Sequence, residues 1–229
     1  MAMRISPAVV LFTLGLSPLA AQAPAGSAAA ATGASKADAT PAPAARVQRD
    51  DIGFTYSLPS DWEFVLPPTA PKPVVPYPNL ASATKGDACV EVAMTAKHGN
   101  PASVVVVVAL PFSCYGQTMT ASDLENFGEG VSEGIKQSFD VTGPLQSTYP
   151  LGSHTVWIER AKGTPKNHTD SSFTFEIACT LLEKGAVCWM TMAADASSLK
   201  AFEQGTVSLE GEAATTLVPA NVFLPNAPS

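Results

Sequence analysis

The stretch from Ser171 to Ala193, SSFTFEIACTLLEKGAVCWMTMA, decides the fold because it predicts a complete β-hairpin. Large apolar residues alternate with polar ones in its first half, as in a strand with one buried face, and Cys179 falls on the apolar face. The segment Glu183-Lys184-Gly185 is typical of a turn, and the chain returns through a second strand that contains Cys188.

The two strands of this hairpin have one self-consistent register. Setting Cys179 opposite Cys188 also sets Ile177 opposite Met190, so that the apolar faces coincide. Directly opposed residues on antiparallel strands lie about 4.5 to 5.5 Å apart at Cα, a separation that a disulfide tolerates. We therefore predict a disulfide between Cys179 and Cys188.

The chain contains four cysteines, and the same argument pairs the other two. The segments DACVEVAMTAK and ASVVVVVALPFSC are predicted strands on either side of a turn near Pro101, which brings Cys89 toward Cys114. The alternatives are a zinc site, which usually has ligands about two to four residues apart, and a redox pair, which favours Cys-x-x-Cys. Neither spacing occurs, so the cysteines predict two disulfides and an oxidising compartment.

The N-terminus predicts export. Residues 1–21 combine one basic residue, an apolar run and small residues at the end, which is the pattern of a signal peptide. Residues 22–45 predict a disordered linker, because they are rich in Ala and Pro and lack large apolar side chains that would offset the entropy of ordering. Secretion or a bacterial periplasm is the expected location, with no transmembrane span in the mature chain. Tethering to a membrane by an uncleaved N-terminal segment is the alternative.

Residues 46–211 predict a single α+β domain, and residues 212–229 an Ala/Pro-rich tail. Over the whole chain 20 acidic residues outnumber 13 basic ones, which gives a net charge of −7. Nucleic acid is excluded as a partner class, since phosphate binding depends on clustered Lys and Arg, and the sequence has no such cluster.

Periodicity predicts the remaining elements of the domain. Alternation from Ile52 to Leu58, followed by a Pro59-Ser60-Asp61 turn and a strand at Trp62, predicts a first hairpin, and six prolines between positions 67 and 78 predict a surface loop. The run of valines at 104–108 predicts a central strand that is covered on both faces. The further expected elements are a helix over 122–139 with a Ser122/Glu125 capping box, strands over 145–149 and 154–162, and a short helix over 195–204 with Leu199 and Phe202 inward.

We expect an antiparallel sheet with helices packed on it, in an α/β/α sandwich. The order of the elements resembles the PsbP-like fold of photosystem extrinsic subunits and related envelope proteins. The resemblance is carried by GFTYSLPSDWEF (53–64), SVVVVVAL (103–110), SDLENFGEGVSEGIKQSF (122–139), LGSHTVWIERA (151–161) and FTFEIACTLLEKGAVCWMTMAADASSLKAFEQ (173–204). It covers roughly residues 50–210 and implies a sandwich used for binding or assembly. The disulfides and the Pro-rich loop depart from the family pattern, and no metal or partner residue of the family carries over.

One motif points to catalysis. Gly130-Val131-Ser132-Glu133-Gly134 fits the G-x-S-x-G nucleophile elbow of α/β-hydrolases, with Asp140 and then His154 or His168 following in the chain order of that triad. An elbow requires a strand before the serine and a helix after it, whereas Ser132 lies inside a predicted helix, on its polar face. A small secreted serine hydrolase is therefore an alternative hypothesis, not the favoured one.

The other polar residues predict no cofactor or metal site. Each of the three histidines, His98, His154 and His168, lacks a second ligand at metal spacing and is expected to be solvated. A row of glutamates at every fourth position of the helix predicts a solvated face, with a calcium or basic-partner surface as the alternative; these are Glu125, Glu129 and Glu133.

The sequence thus favours an exported binding or envelope-assembly module without catalysis. Its expected partner is an unidentified protein or small molecule of the envelope. The alternatives are the serine hydrolase and a purely structural surface protein.

Overall fold

The computed structural model describes residues 45–66, 89–99, 102–167 and 171–223. The predicted signal peptide, nearly all of the linker, the Pro-rich loop and His168 lie outside these ranges, so the statements about them stay predictions. Within the described ranges the chain forms eleven strands and three helices. In chain order they are β1 (Arg46–Arg49), β2 (Phe54–Ser57), β3 (Glu63–Leu66), β4 (Glu91–Gly99), β5 (Ala102–Pro111), α1 (Phe112–Tyr115), α2 (Leu124–Lys136), β6 (Phe139–Leu151), β7 (His154–Pro165), β8 (Phe173–Leu181), β9 (Gly185–Ala193), α3 (Ala196–Glu203), β10 (Thr206–Leu209) and β11 (Thr215–Thr216).

Seven strands form one antiparallel sheet, in the spatial order β3-β4-β5-β9-β8-β7-β6. Hairpins join β4 to β5, β6 to β7 and β8 to β9, and the β5–β9 pairing unites the two halves. The valines of β5 are buried on both faces, Val105 and Val107 on one side and Val106 and Val108 on the other. The predicted central strand is confirmed.

The β8–β9 hairpin has the predicted register, with Cys179 paired to Cys188 and Ile177 paired to Met190. Both predicted disulfides are present, with Cα–Cα distances of 4.2 Å for Cys179–Cys188 and 5.6 Å for Cys89–Cys114. The first bridge is buried within the large sheet. The second links the approach to β4 with α1, and Cys114 is exposed.

Two apolar cores lie on opposite faces of the large sheet. On one face α2 and α1 cover Trp157 and Ile177. On the other face α3 and a four-stranded antiparallel sheet, in the order β1-β2-β10-β11, cover Trp189. The prediction of an antiparallel sheet with helices packed on it is therefore correct in part. The predicted α/β/α sandwich is wrong in one outer layer. That layer is mainly a second sheet, since strands dominate the fold.

The first predicted hairpin is wrong. β2 pairs with β1 and β10, whereas β3 pairs with β4 in the large sheet. The Pro59-Ser60-Asp61 segment therefore carries the chain from one sheet to the other. Alternation along a strand identifies its buried face, but it does not identify the neighbouring strand.

The helix predicted after the central strand is α2, preceded by a 3-10 turn (Ala121–Asp123). Its capping box lies two residues upstream of the predicted Ser122/Glu125 pair: Thr120 and Asp123 form it, and the Thr120 amide donates a 2.7 Å hydrogen bond to the Asp123 carboxylate. The predicted last helix is α3, with Leu199 and Phe202 buried as expected.

The fold also continues beyond residue 211, the predicted end of the domain. Strand β11 pairs with β10, and the next two residues, Leu217 and Val218, are buried in the core beneath the small sheet. The burial of these apolar side chains holds the first part of the segment that was predicted to be an Ala/Pro-rich tail.

Candidate functional site

Ser132, the predicted candidate nucleophile, lies in the middle of α2 and faces the large sheet. The residue is 3% exposed, and its Oγ donates a 2.5 Å hydrogen bond to Oε1 of Glu159 on β7. The prediction that Ser132 lies on the polar face of the helix is therefore wrong. Gly128, one turn earlier, lies directly against Trp157 and allows this part of α2 to approach the sheet closely.

Glu159 is buried, and both of its carboxylate oxygens accept hydrogen bonds. Oε2 accepts from the side-chain amide of Gln146 on β6 at 2.7 Å, in addition to the Ser132 bond at Oε1. A buried carboxylate needs such donors, since a charge without partners is costly in the interior. The contact is a structural one: the Ser132 hydroxyl donates a hydrogen bond to the Glu159 carboxylate. Ser132 lies within a continuous helix, so no nucleophile elbow is formed.

His154 lies away from Ser132. It begins β7, where its Nδ1 lies 3.3 Å from the Leu181 carbonyl oxygen and its Nε2 lies 3.5 Å from the Glu210 carboxylate. Side chains alternate along a strand, so His154 and Glu159 project to opposite faces, about 16 Å apart along β7. The triad of Ser132 with His154 is therefore wrong, and the burial of Ser132 also argues against one with His168, which lies outside the described residues.

His98 is not solvated as predicted. It lies in β4 and is 8% exposed, and its Nε2 lies 2.7 Å from Oδ2 of Asp61. Its ring packs against Trp62, with 5.4 Å between ring centroids. The histidine thus fastens the connection between β2 and β3 to the large sheet.

The glutamate row of α2 is exposed, as predicted. Glu133 forms an ion pair with Lys136 at 2.5 Å. Among the described residues, no group of three or more His, Cys, Asp or Glu side chains is arranged to hold a metal ion. None of the helices described is long and apolar enough to cross a membrane.

A buried ionisable cluster, which the sequence did not predict, lies on the other face of the large sheet. Glu176 on β8 is fully buried, and its Oε2 accepts hydrogen bonds from Nε and Nη2 of Arg160 on β7 at 2.8 and 2.5 Å. The same guanidinium donates to Glu203 at the end of α3, and the ring of Phe223 lies over it with 4.4 Å to the centroid. We call Arg160, Glu176, Glu203 and Phe223 the Arg160 cluster.

The Glu176 carboxyl group is shifted toward its neutral form. Burial raises its pKa to about 7, the Arg160 guanidinium opposes this shift, and the Glu203 carboxylate adds to it. Its Oε1 has no hydrogen-bond partner within the described part of the chain. Burial and the nearby Glu176 also raise the pKa of the phenols of Tyr56 and Tyr149.

The sequence contained one signal for this cluster. Alternation in FTFEIACTL assigns Glu176 to a polar face, but β8 is covered on both faces, so that face is buried as well. Arg160 is the direct cross-strand neighbour of Glu176. An acid in a strand between two buried neighbours, opposite an arginine, is the pattern that identifies such a pair.

The large apolar side chains that are exposed in the described structure lie on the two edges of the large sheet. Phe64 and Val65 on β3 are 39% and 49% exposed, and Leu145 on β6 is 56% exposed. Each of these strands has a β-bulge where its apolar side chains are exposed. The bulge lies between Phe64 and Leu66 in β3 and between Thr142 and Leu145 in β6.

No family model matches the chain, and no curated protein matches it. Among solved structures, the chain is similar to cyanobacterial PsbP (CyanoP) from Synechocystis sp. PCC 6803, with a TM-score of 0.38 and 10% identity over 71% of this chain and 86% of that chain. This solved structure belongs to the family that the order of the elements was predicted to resemble. Similarity at this level says nothing of what this chain binds.

Proposed function

We propose that the chain is an exported binding module without catalysis, which assembles with a protein partner through the edges of its large sheet. The observation that carries the proposal is that Phe64, Val65 and Leu145, the large exposed apolar side chains of the described structure, all lie on edge strands. Apolar side chains that remain exposed beside such an edge favour contact with another chain.

The form of the two edges supports a selective partner. Bulges in β3 and β6 twist these strands, and Pro144 beside Leu145 removes a backbone donor. Both features oppose indiscriminate strand addition, which is the common hazard of an open edge. The apolar side chains at the same positions remain available to a partner whose surface fits them.

The cysteines support the proposed export to an oxidising compartment. Two disulfides in a chain of this size favour an oxidising environment such as the periplasm or the exterior, and the predicted signal peptide agrees with it. Sequencing the N-terminus of protein recovered from its native cells tests this part. A start near Gln22 is expected, and an intact Met1 in membrane-bound protein would support the tethered alternative.

The absence of catalysis is proposed because the one motif that pointed to it does not form a nucleophile. Ser132 is buried and donates to Glu159 instead of a histidine. A fluorophosphonate probe, which reacts with activated serines, is expected to leave Ser132 unlabelled in the native protein. Labelling that disappears in Ser132→Ala would support the serine-hydrolase hypothesis instead.

Site-specific photo-cross-linking tests the partner surface. A benzophenone amino acid replaces Val65 or Leu145 in the full chain, in its native cells, and Glu129 on the exposed face of α2 is the matched control position. We expect a single cross-linked protein from position 65 or 145 and none from position 129. The cross-link from position 65 should be lost when Phe64→Ser is added beside it. Equal cross-linking from all three positions, or none from either edge, would refute an edge-mediated contact.

A further inference from the structure

The Arg160 cluster connects three parts of the fold that are distant in sequence. Arg160 and Glu176 belong to neighbouring strands of the large sheet, Glu203 ends α3, and Phe223 belongs to the C-terminal segment 219–223. The Arg160 and Glu203 side chains are 29% and 23% exposed, whereas Glu176 is fully buried beneath them. Water therefore reaches the rim of the cluster but not the acid at its base.

The charges around Glu176 decide whether its carboxyl group is protonated or ionised in the folded protein. The groups that face it are Arg160 from β7, Glu203 from α3, Tyr56 from β2 and Tyr149 from β6, and its neighbour on β9 is the uncharged Thr191. With Glu176 protonated, the cluster holds one cation and one anion. With Glu176 ionised, one negative charge is left without compensation in the interior, which is costly.

When α3 and the C-terminal segment loosen, water reaches Glu176 and this cost is removed. α3 and the C-terminal segment contribute Glu203 and Phe223, which both contact the partly exposed Arg160 guanidinium. Phe223 is held over Arg160 by stacking and a partly buried contact with the core.

We propose that the Arg160 cluster is a pH-responsive contact, which holds α3 and segment 219–223 against the large sheet while Glu176 is protonated and loosens both when Glu176 ionises. The device is independent of the partner surface at the sheet edges, so either proposal can fail without the other.

The size of the effect follows from the two environments of the carboxyl group. In the closed fold its pKa is about 7, and in water it returns to its ordinary value of 4.5. Opening therefore becomes more favourable as the pH rises from 4.5, and the increase levels off above pH 7. Between pH 5 and pH 8 the opening equilibrium is expected to rise on the order of a hundredfold.

Hydrogen exchange on the full mature chain measures this opening. After correction for the intrinsic pH dependence of exchange, amides of α3 and of 219–223 are expected to lose protection on the order of a hundredfold from pH 5 to pH 8. Amides of α2, which lies on the opposite face of the sheet, are the internal control and should not change. Glu176→Gln, which cannot ionise, is expected to keep α3 protected across this range.

Glu203→Gln is a second variant that keeps the titrating acid. Because the Glu203 carboxylate raises the pKa of Glu176, its removal is expected to shift the midpoint of the protection loss to lower pH. Protection of α3 that is independent of pH in the natural chain, or a dependence that persists in Glu176→Gln, would overturn the proposal. Carboxyl ¹³C titration of the unmodified chain needs no variant: a group with its midpoint near pH 7 is expected, and the absence of any carboxyl titrating above pH 6 would equally overturn it.

Discussion

Gly128 of α2 lies flat against the indole of Trp157, so closely that a Cβ at position 128 would be 2.2 Å from Cε3 of that ring. No side chain fits into this space, and Trp157 is itself buried in the core beneath the helix. The glycine therefore sets the distance between α2 and the large sheet. It also brings Ser132, one turn later, within reach of Glu159.

Gly128→Ala is expected to destabilise the protein by about 1 to 3 kcal/mol, because the overpacking must displace Trp157 or the helix. Gly130→Ala is the matched control in the same helix, since a Cβ there meets nothing within 4 Å. It should raise the free energy of unfolding by up to about 1 kcal/mol through helix propensity. Urea unfolding measures both, and two variants of equal stability would contradict the close approach.

Ser132→Ala is expected to lower the free energy of unfolding by about 1 to 3 kcal/mol, because Oε1 of the buried Glu159 loses its donor. Ser113→Ala, at an exposed serine, should change stability by less than about 0.5 kcal/mol. Chemical denaturation of the two variants side by side provides the comparison. A Ser132→Ala protein as stable as the natural chain would mean that the hydrogen bond contributes nothing.

The β4–β5 and β8–β9 pairings, which bring the cysteines together, were predictable because they depend on period and on turn residues. The register of β8 and β9 follows from the alternation that places Cys179 and Cys188 on one apolar face, and a slip by one residue would turn that face to the opposite side of the sheet and separate the two cysteines. The buried valines of β5 and the inward Leu199 and Phe202 of α3 were predictable for the same reason.

Long-range choices were not predictable from the same signals. β2 finds its partners in β1 and in β10, a strand about 150 residues later, and no local pattern encodes that distance. The orientation of Ser132 was missed because residue type alone assigned it to the polar face, whereas the close approach at Gly128 buries it. Glu176 was missed because a second sheet covers the face that alternation assigned to solvent.

The two disulfides are expected to differ in their resistance to reduction. Cys179 and Cys188 are both fully buried, whereas Cys114 is exposed at the end of α1. A thiolate must reach a sulfur atom to exchange with it, so dithiothreitol should reduce Cys89–Cys114 first under native conditions, and Cys179–Cys188 only when the protein unfolds. Alkylation followed by peptide mass spectrometry identifies the order. Simultaneous reduction without denaturant would show that the buried bridge is accessible in the native state.

The overall stability of the protein should also depend on Glu176. Its pKa is raised in the folded state, so its contribution to stability is fully present below pH 4.5 and is lost as the pH rises through 7. The shift corresponds to about 3 kcal/mol over this window. Asp123 and Glu212, whose pKa values are lowered by hydrogen bonds, act in the opposite sense, and their contributions are lost as the pH falls through their folded-state values.

Comparing the natural chain with Glu176→Gln isolates this effect, since the carboxylates that do not interact with Glu176 contribute equally to both proteins. The free energy of unfolding in urea is expected to fall for the natural chain, relative to the variant, by about 3 kcal/mol between pH 4.5 and pH 8. Arg160 keeps Glu203 as a partner in the variant, so the guanidinium is not left unpaired by the substitution. A difference between the two proteins that stays constant with pH would mean that Glu176 ionises in the folded state as it does in water.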